Sequence, residues 1–524
     1  MPANPATLAE LVRAVTQRNG AKPAIIFQDT EISYAALDAA IERAANGLAT
    51  RGITHGDRVG ILLPNLPQFV IAYYAIQRVG GVVVPINVLY KAEEIAYVLN
   101  DSEATALVVY EGFYPNAAEA LLHAPSVAHV FFVGTGEAPD GTTTWSALTD
   151  GSAPERAPRE ISPDDLATIC YTSGTTGRSK GAMLSHRNFL ANCEQCDRLV
   201  RCNAQEDDRA LVVLPLFHIY GMNVCMTAML RVGATMVLLP RFEPTQVLEQ
   251  IQKHRCTALY GAPPMFVAWV NHPDLASFDL SSVRFAFSGA AALPVQVLET
   301  FRDKTGVEII EGYGLTEASP ISHTNAAGLV NKPGTIGPAI PGVAVRLVDD
   351  DDNDVPPGAE GEILLRGDNI LSGYWRMPEA TAEALRGGWF HTGDIATVDK
   401  DGYYTIVDRK KDMINAGGFK VWPREVEEVL YRHPAVQEAA VVAMSDPYTG
   451  ERPMAFVALK DGQTATADDL IAYCREHLAT FKAPRHIEFR PELPKLPTGK
   501  ILRRVLRDDA RHLATASAHE GRDD

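Results

Sequence analysis

A loop rich in glycine and hydroxyl residues lies between a predicted strand that ends at Tyr171 and a predicted helix that begins near His186. Glycine allows positive φ and a close approach to a ligand, and successive N–H groups in such a loop can cradle phosphate oxygens. The spacing differs from the GxxxxGK(S/T) loop of common nucleotide triphosphatases, so this loop alone indicates either a phosphate loop or a plain polar turn. The loop reads Thr172-Ser173-Gly174-Thr175-Thr176-Gly177-Arg178-Ser179-Lys180-Gly181.

A second segment places an aromatic ring, a hydroxyl and two carboxylates around a pair of glycines. An aromatic side chain between glycines can stack on a planar base, and a hydroxyl nearby can reach a phosphate. A carboxylate can hold Mg²⁺, which prefers oxygen ligands. The alternative is a tight glycine turn beside a solvated acid. The segment reads Glu311-Gly312-Tyr313-Gly314-Leu315-Thr316-Glu317.

Two single residues have types that could serve the same chemistry. Asp394 follows Thr392-Gly393 and could accept ribose hydroxyls, although aspartate is also common in ordinary turns. Lys500 ends Pro497-Thr498-Gly499-Lys500. When a carboxylate attacks an α-phosphate, two anions approach, and a cation at that point neutralises the charge that develops. The alternative for Lys500 is a plain surface lysine.

The elements that must position these residues alternate along most of the chain. Short runs rich in β-branched and aromatic residues predict buried strands, and helix-like stretches such as 34–52 and 294–305 lie between them. This alternation predicts an α/β domain of layered, largely parallel sheets and helices. The predicted strands are 106–110, 129–133, 166–171, 211–214, 235–239 and 284–287.

The pattern changes after about Gly402. A short strand runs into Asp408-Arg409-Lys410-Lys411-Asp412, and a glycine pair, a helix, two strands and a second helix follow. These elements predict a compact α+β unit of domain size. We place an N-terminal domain at 1–408, a hinge at 409–411, a C-terminal domain at 412–512 and a frayed, flexible tail at 513–524.

The composition is typical of a globular protein, with 524 residues of which 46% are apolar and 22% charged. The net charge of −17 disfavours nucleic acid as a partner, so a phosphate site must be built locally. We expect no secretory signal and no integral membrane segment, which would need about 20 apolar residues in a row. The seven scattered cysteines predict reduced thiols and a cytoplasmic protein, and Cys193-x-x-Cys196 lacks the second pair of a metal site.

These motifs occur in one order from about Ile32 to Arg504 and resemble the adenylate-forming superfamily. That superfamily contains acyl-CoA synthetases, peptide-synthetase adenylation domains and firefly-type luciferases. The resemblance implies a large N-terminal domain and a small mobile C-terminal domain. It also implies a two-step reaction, in which ATP activates a carboxylic acid as an acyl-adenylate and coenzyme A then accepts the acyl group.

The resemblance also implies a role for each residue that matches a motif. Tyr313 would lie against adenine, Thr316 would contact the α-phosphate, and Glu317 with Thr176 would hold Mg²⁺. Catalysis would rest on Lys500, His218, Thr316 and Glu317. The implied ATP- and AMP-binding residues are Thr172, Ser173, Gly174, Thr175, Thr176, Gly177, Lys180, Gly289, Ala290, Glu311, Gly312, Tyr313, Gly314, Thr316, Asp394 and Arg409.

Lys411 occupies the hinge position of the resemblance. Rotation of the small domain about it would withdraw Lys500 and bring in the loop Gly417-Gly418-Phe419-Lys420, which would bind CoA. Domain motion of this kind allows two chemistries to share one site. The alternative for the glycine pair is a simple turn.

The acid is predicted to have a neutral, apolar tail. Peptide-synthetase adenylation domains carry an aspartate at the position of His218 to pair with a substrate ammonium, and an unpaired buried ammonium would be costly here. No charged residue occurs in 219–230 or in 259–270. The implied acyl-pocket residues are Tyr220, Met222, Asn223 and Gly289.

The resemblance extends to bacterial medium- and long-chain fatty-acid–CoA ligases, which makes a fatty acid the predicted substrate. The run Phe217-His218-Ile219-Tyr220-Gly221-Met222-Asn223 also resembles hydroxycinnamate–CoA ligases, so an aryl or cyclic acid is the alternative. Met222 stands where some long-chain enzymes hold an aromatic gate, which leaves chain length open. An acyl-AMP ligase that loads a carrier protein, and a nucleotide-binding protein without activity, are further alternatives. A homodimer is left open.

Overall fold

The computed structural model describes residues 5–151, 160–172, 179–446, 449–496 and 499–520, with side chains up to Leu513. Most predicted strands agree closely with its elements. The strands are, in chain order, β1 (Pro23–Phe27), β2 (Thr30–Ser33), β3 (Arg58–Leu62), β4 (Val82–Pro85), β5 (Ala106–Tyr110), β6 (His129–Val133), β7 (Thr143–Thr144), β8 (Leu166–Thr172), β9 (Lys180–Ser185), β10 (Arg209–Val212), β11 (Thr235–Leu238), β12 (Ala258–Gly261), β13 (Phe285–Ser288), β14 (Ile309–Gly314), β15 (Ile321–Thr324), β16 (Ala344–Val348), β17 (Gly361–Arg366), β18 (Gly373–Tyr374), β19 (Phe390–Val398), β20 (Tyr404–Arg409), β21 (Ile414–Ala416), β22 (Phe419–Val421), β23 (Val436–Asp446), β24 (Gly450–Leu459) and β25 (His486–Phe489).

The α-helices lie mainly between these strands. They are α1 (Leu8–Asn19), α2 (Tyr34–Thr50), α3 (Pro67–Arg78), α4 (Ala92–Asp101), α5 (Tyr114–Leu121), α6 (Trp145–Thr149), α7 (His186–Asp197), α8 (Ala228–Val232), α9 (Pro244–His254), α10 (Pro263–Val270), α11 (Val295–Thr305), α12 (Pro378–Ala384), α13 (Pro423–Arg432), α14 (Ala467–His477) and α15 (Arg503–Glu520).

Two eight-stranded sheets form the body of the molecule. One has the strand order β15-β14-β13-β12-β10-β11-β1-β2 and the other β18-β9-β8-β4-β3-β5-β6-β7. Their central strands pair in parallel, whereas the outer pairs β14–β15 and β8–β9 are antiparallel. Strands β11, β12 and β13 are buried along their whole length, as parallel strands covered on both faces must be. The predicted α/β class is confirmed.

Two helix ends show how the local sequence sets the elements of the body. Ser185 starts α7 because its hydroxyl accepts the N–H of Asn188 at 3.2 Å, while the Asn188 amide oxygen accepts the N–H of Ser185 at 2.8 Å. Gly306 ends α11 with φ 73°, a conformation that costs glycine little. These signals set the helices that support β8 and β14.

The chain leaves the body at a short 3₁₀ turn, Lys410–Asp412. Strand β20 ends just before it and closes a four-stranded sheet, β16-β17-β19-β20. Strand β21 begins just after it and belongs to a separate five-stranded sheet that β22, β23, β24 and β25 complete. The chain therefore changes sheet between Arg409 and Ile414, and the hinge at 409–411 stays a prediction. We call the part from Ile414 onward the lid.

The lid has its own apolar core. Val426, Leu430 and Val441 pack in one cluster, and Phe456 and Leu506 pack in another, with all members of both clusters in the lid. The large clusters of the body end before the lid begins. A unit with its own core can move as one piece.

The structure departs from the predicted elements at two places. Helix α15 continues to Glu520, beyond His512, where the composition predicts a frayed tail. The segment Tyr220–Thr227 forms a fully buried π-helix, which no periodicity in the sequence indicates. A π-helix adds a residue to a turn and often lies at a functional site.

Candidate active site

A cleft of about 690 Å³ opens between the body and the lid. The carboxyl ends of β8, β13 and β14 all face it, which is where open α/β sheets bind ligands. Most of the predicted site residues line it, although they are spread over the chain. These are Thr172, Lys180, His218, Tyr220, Gly289, Ala290, Gly312, Tyr313, Gly314, Thr316, Glu317, Asp394, Arg409, Lys411 and Lys500.

The remaining residues of the glycine-rich loop lie outside the described part of the chain. They are Ser173, Gly174, Thr175, Thr176 and Gly177. The flanking strands are described, and Thr172 pairs with Lys180 across β8 and β9. Thr172 and Lys180 thus lie side by side on antiparallel strands, and both line the cleft.

Asp394 joins two other predicted residues. The Tyr313 hydroxyl donates to one Asp394 oxygen at 2.5 Å, and Arg409 Nε lies 3.2 Å from the other. Asp394 and Arg409 stand opposite each other in the register of β19 and β20, so the sheet itself sets this pair. Burial raises the pKa of Tyr313, which keeps its hydroxyl protonated as a donor. The three side chains form one polar corner of the cleft.

Glu317 lies in a 3₁₀ turn, Thr316–Ala318, that directly follows β14. One of its oxygens accepts the Tyr374 hydroxyl at 2.9 Å, and burial raises the carboxyl pKa. Lys180 Nζ lies 5.0 Å from the centre of the Tyr374 ring, which brings a cation to the same wall. A half-buried carboxylate with one oxygen left for another ligand suits a cation that arrives with phosphate oxygens.

Lys500 enters the cleft from the lid. Burial, and then the nearby charge of Arg409, lower its pKa to about 7. The preceding Gly499 has φ 80°, and a Cβ there would meet Pro264 of the body at 2.7 Å. A side chain larger than glycine at this position would push the lid away and withdraw the lysine.

His218 lies close to Lys500 on the body side. Burial and the Lys500 charge lower its pKa to about 4, so the imidazole is neutral at physiological pH. Its Nδ1 accepts the N–H of Tyr220 at 3.3 Å, which leaves Nε2 as the proton-bearing nitrogen. The Tyr220 ring in turn packs on Gly289, where a Cβ would be 3.1 Å from the ring.

Lys411 also faces the cleft. Burial, and then the nearby charge of Arg409, lower its pKa to about 8.

Polar contacts join the lid to the end of the body sheet. Arg503 of α15 donates to Asp408 at 3.3 Å and to Glu427 at 2.6 Å. The Asp408 carboxylate accepts the N–H of Arg424 as well, at 2.9 Å. Asp408 belongs to β20 of the body, whereas Arg503 and Arg424 belong to the lid, so this carboxylate ties the lid to the body in the present orientation.

Some predicted residues do not reach the cleft wall. The Asn223 amide donates to the carbonyl oxygens of Ser319 at 2.5 Å and Phe189 at 3.3 Å. Met222 is fully buried. The π-helix points both side chains into the core. Glu311 lies behind the wall, where it accepts N–H groups of Leu293 and Gly334 and burial raises its pKa to about 7.

The predicted CoA loop also lies outside the cleft. Gly417 and Gly418 form the two-residue turn of the β21–β22 hairpin with φ 64° and 90°. Phe419 is 58% exposed and stacks on Phe481 with 4.7 Å between ring centres, and Lys420 is exposed as well. In this lid orientation Lys500 lines the cleft, and the predicted CoA loop does not.

The sequence reasoning missed Tyr374 and Arg503. No local pattern singles out Tyr374, since its importance comes from a hydroxyl that meets Glu317 across 57 residues of chain. Arg503 had a local signal in the sequence, because it begins a pair of arginines only three positions after Lys500. Its acidic partners, Asp408 and Glu427, lie far away along the chain, so the sequence does not indicate that they meet Arg503.

A family model of AMP-binding enzymes matches residues 12–375, and a model of the AMP-binding enzyme C-terminal domain matches residues 425–500. A long-chain-fatty-acid–CoA ligase of Bacillus subtilis (strain 168) is 38% identical over 528 residues, covering 96% of this chain and 94% of the relative. A feruloyl-CoA synthase of an Amycolatopsis species is 39% identical over 480 residues, covering 91% of this chain and 94% of the relative.

Two solved structures share the whole fold. The anthranilate CoA ligase AuaEII, in complex with anthranoyl-AMP, has a TM-score of 0.91 and 31% identity, covering 98% of this chain and 99% of that one. ATP-bound MatB from Rhodopseudomonas palustris has a TM-score of 0.89 and 34% identity, covering 97% and 99%.

The chain belongs to the family of AMP-binding enzymes. Within that family it is an AMP-forming acid–thiol ligase with acyl-CoA ligase activity, close to the fatty-acid–CoA ligases. ATP and CoA are substrates of this family. Among the described residues, no helix is both long and apolar enough to cross a bilayer, and no group of three or more His, Cys, Asp or Glu could hold a metal ion. The cytoplasmic location and the oligomeric state stay predictions.

Proposed function

We propose that the protein is an ATP-dependent fatty-acid–CoA ligase that acts on an acid of medium or long chain. One observation carries the proposal: Lys500 of the lid enters the same cleft as Thr316, Glu317 and Asp394 of the body. These are the cation, hydroxyl and carboxylates that acyl-adenylate formation needs. The proposal covers the roles of the site residues as well as the substrate class.

In the first step, the polar corner of the cleft would hold the nucleoside. Asp394 would bind the ribose hydroxyls and keep its link to Arg409, while Tyr313 would lie along the base. Lys500 would neutralise the charge that develops as the acid attacks the α-phosphate. Its lowered pKa of about 7 is that of the protein alone, and bound phosphates would raise it and recharge the amine.

Glu317 fits a magnesium ion that arrives with ATP. The carboxylate is half-buried and lines the cleft, and Tyr374 donates to one of its oxygens. Mg²⁺ is commonly held by one or two carboxylates together with substrate phosphates, and it would neutralise phosphate charge here. Thr176, the second predicted ligand, lies outside the described residues.

In the second step, the lid would turn about Lys411 and present the loop 417–420 to the cleft. The separate apolar core of the lid supports this division at 409–411, because a rotation would leave both cores intact. The rotation would break the links from Arg503 and from the Arg424 N–H to Asp408. It would also separate Gly499 from Pro264.

The acyl end of the cleft supports an acid with an apolar tail. It is lined by Phe217, Ile219, Tyr220, Phe287 and Ile321. His218 is neutral there and offers an N–H rather than a charge. An ammonium or a second carboxylate on the tail would lose its hydration without gaining a partner.

An aryl acid is the second candidate. The feruloyl-CoA synthase relative is as similar to this chain as the fatty-acid ligase relative, at 39% against 38% identity. The aromatic rings of Tyr220 and Phe287 in the wall would also suit a planar acid.

The experiment is a panel of straight-chain, cyclic and aromatic acids, assayed for CoA-dependent AMP release. We expect the highest kcat/KM with a straight-chain acid. An aromatic optimum would favour the second candidate, and acyl-AMP that accumulates without thioester would favour a carrier-protein ligase. Absence of acid-dependent ATP–pyrophosphate exchange would contradict ligase activity altogether.

A further inference from the structure

The Asp394 carboxylate is carried on a bulge of β19. Between Glu362 and Leu364, strand β17 has a single residue, whereas the facing part of β19 has three, 392–394. A bulge re-aims a side chain out of the regular alternation of its strand, and bulges are common beside active sites. We call residues 392–394 the β19 bulge, which sets the position of Asp394 in the cleft.

Side chains take the backbone N–H groups that the β19 bulge removes from the sheet. The Glu362 carboxylate accepts the N–H of Gly393 at 3.0 Å, and the Thr392 hydroxyl accepts the N–H of Asp394 at 3.1 Å. The Thr392 hydroxyl in turn donates to the Ile363 carbonyl oxygen at 2.8 Å. Gly393 has φ 72°, which glycine adopts without strain. The shape of the bulge therefore depends on a side chain of the neighbouring strand, Glu362.

The second oxygen of Glu362 accepts a hydrogen bond from the predicted hinge. Lys410 Nζ lies 3.3 Å from this oxygen and 2.7 Å from Asp350, in the loop between β16 and β17. The Glu362 side chain is only 6% exposed, so its charge is stabilised by a cation at this distance. His391 Nδ1 lies 3.9 Å from the first oxygen, but burial lowers the pKa of His391 and keeps it neutral at physiological pH. Glu362 thus faces the bulge with one oxygen and the hinge with the other.

We propose that Glu362 is a positioning residue that joins the nucleotide site to the hinge. One oxygen holds the β19 bulge so that Asp394 reaches the ribose, and the other holds Lys410 while Lys500 lines the cleft. The inference rests on the proposed function, because it presumes that ribose binds at Asp394 and that the lid turns at 409–411. Since coupling between two sites is reciprocal, nucleotide bound at the bulge would favour the present lid orientation, and this orientation would strengthen nucleotide binding.

Substitutions at Glu362 separate its two oxygens. Glu362→Ala removes both, whereas Glu362→Gln keeps an amide oxygen that can accept the Gly393 N–H. We expect KM for ATP to rise about tenfold in E362A and to stay within about threefold of wild type in E362Q, with KM for the acid unchanged in both. Glu362→Met, which fills a similar volume without an oxygen, repeats the alanine test with less loss of packing. Glu379→Gln, at an exposed glutamate that does not line the cleft, is the control.

Lys410→Met tests the link to the hinge. The ion pairs of a partly exposed lysine correspond to about a twofold to fivefold change, so adenylation should fall by that factor in K410M and in E362Q. Thioester formation from supplied acyl-AMP should not fall in either variant. The double variant E362Q/K410M should be no slower than the slower single variant, because both substitutions remove the same link. Lys400→Met, at an exposed lysine between β19 and β20, is the control.

Two further measurements do not depend on turnover. Titration calorimetry measures ATP binding, and backbone hydrogen exchange of residues 410–413 reports how often the hinge segment opens. We expect ATP to bind more weakly to E362A than to E362Q. With ATP bound, the hinge segment should exchange faster in E362Q and K410M than in wild type or K400M.

The outcomes separate this inference from the proposed function. The same KM for ATP in E362A and E362Q would overturn the role of Glu362 in the bulge. Equal losses of both steps in K410M, or additive losses in the double variant, would overturn the link to the hinge. A chain without acid-dependent ATP–pyrophosphate exchange would overturn the proposed function, and calorimetry with hydrogen exchange would still decide whether Glu362 joins the two regions.

Discussion

The two walls of the cleft are built differently. On the body side, the functional groups are held by hydrogen bonds between elements of rigid sheets, as in Tyr313–Asp394 at 2.5 Å and Tyr374–Glu317 at 2.9 Å. On the lid side, Lys500 depends on where a whole domain rests. In the part of the chain that the structure describes, no hydrogen bond or ion pair holds its ammonium group.

This difference indicates a division of labour. On the proposed function, the body would present a prebuilt surface for nucleotide and acid, and rigid groups bind without the cost of ordering them. The lid would carry the groups that are exchanged between the two steps. The links between the lid and Asp408 of the body are polar, whereas the apolar core of the lid contains lid residues alone. A rotation of the lid would therefore break these polar links and leave the apolar packing of the lid intact.

The largest expected effect comes from a substitution on the lid side of the cleft. Lys500→Ala should slow adenylation about 10²- to 10³-fold, since it removes the cation from a developing charge. Thioester formation from supplied acyl-AMP should stay within a few-fold of wild type. ATP–pyrophosphate exchange measures the first step, and Lys460→Ala is the control, since Lys460 is a lid lysine that does not line the cleft. Equal losses in both steps would contradict the role of Lys500.

The pH dependence of adenylation should report the same amine. Because the pKa of Lys500 in the free protein is about 7, the charged form is lost as pH rises above that value. We expect kcat/KM for ATP in the exchange reaction to fall about tenfold per pH unit above this point. In Lys500→Arg the side chain stays charged, so the alkaline fall should disappear even if the rate is lower. A profile that keeps the same fall in K500R would assign it to another group.

A substitution on the body side should act on nucleotide binding alone. Asp394→Asn removes the charge that Arg409 and Tyr313 share, and hydrogen bonds to charged groups are worth about a tenfold to hundredfold change in affinity. We expect kcat/KM for ATP to fall by that factor, with little change in KM for the acid. Asp399→Asn, at a surface pair with Lys332, is the control. A larger change for the acid than for ATP would contradict the ribose assignment.

Gly418→Val tests the loop of the second step. Valine at φ 90° is strained. Strain of this kind should lower the rate of a step in which the loop must dock about tenfold. Thioester formation should slow by that factor, while pyrophosphate exchange stays near wild type. Gly462→Val, at φ 72° in another turn of the lid, introduces similar strain elsewhere. A normal second step in G418V would remove the loop from the CoA site.

The smallest effect concerns the lid orientation itself. Arg503→Lys keeps the charge but loses the planar fork that spans Asp408 and Glu427. Adenylation should fall about twofold to fivefold, as for the loss of one hydrogen bond of ordinary strength, because the lid rests less often with Lys500 in the cleft. Thioester formation from acyl-AMP should not fall. The neighbouring Arg504→Lys is the control, since Arg504 is exposed.

The candidate residues of the nucleotide site could be found from the sequence because each of their motifs is a short, continuous segment. Tyr313, Thr316 and Glu317 lie within five positions, and the loop at Thr172–Lys180 is continuous, so glycines, hydroxyls and charges in order predicted a nucleotide site. The class of fold followed from the alternation of apolar strands and amphipathic helices. The family and the fold class are confirmed.

The acyl pocket could not be predicted in the same way. Met222 and Asn223 stand next to His218 in the sequence, yet the π-helix turns both away from the cleft. The wall is completed instead by Phe287 and Ile321, which come from β13 and β15. A pocket lined by side chains from several strands depends on packing between distant segments, and local patterns do not report that.

The sequence by itself determined which groups are available, since residue types and their local spacing specify turns, strands and donors. Only the tertiary structure decided which groups meet. The Tyr374–Glu317 hydrogen bond and the Arg503 links to Asp408 and Glu427 join residues far apart in the chain. The physical reason is that propensity acts over a few neighbouring residues, whereas these contacts depend on how whole sheets and the lid pack together.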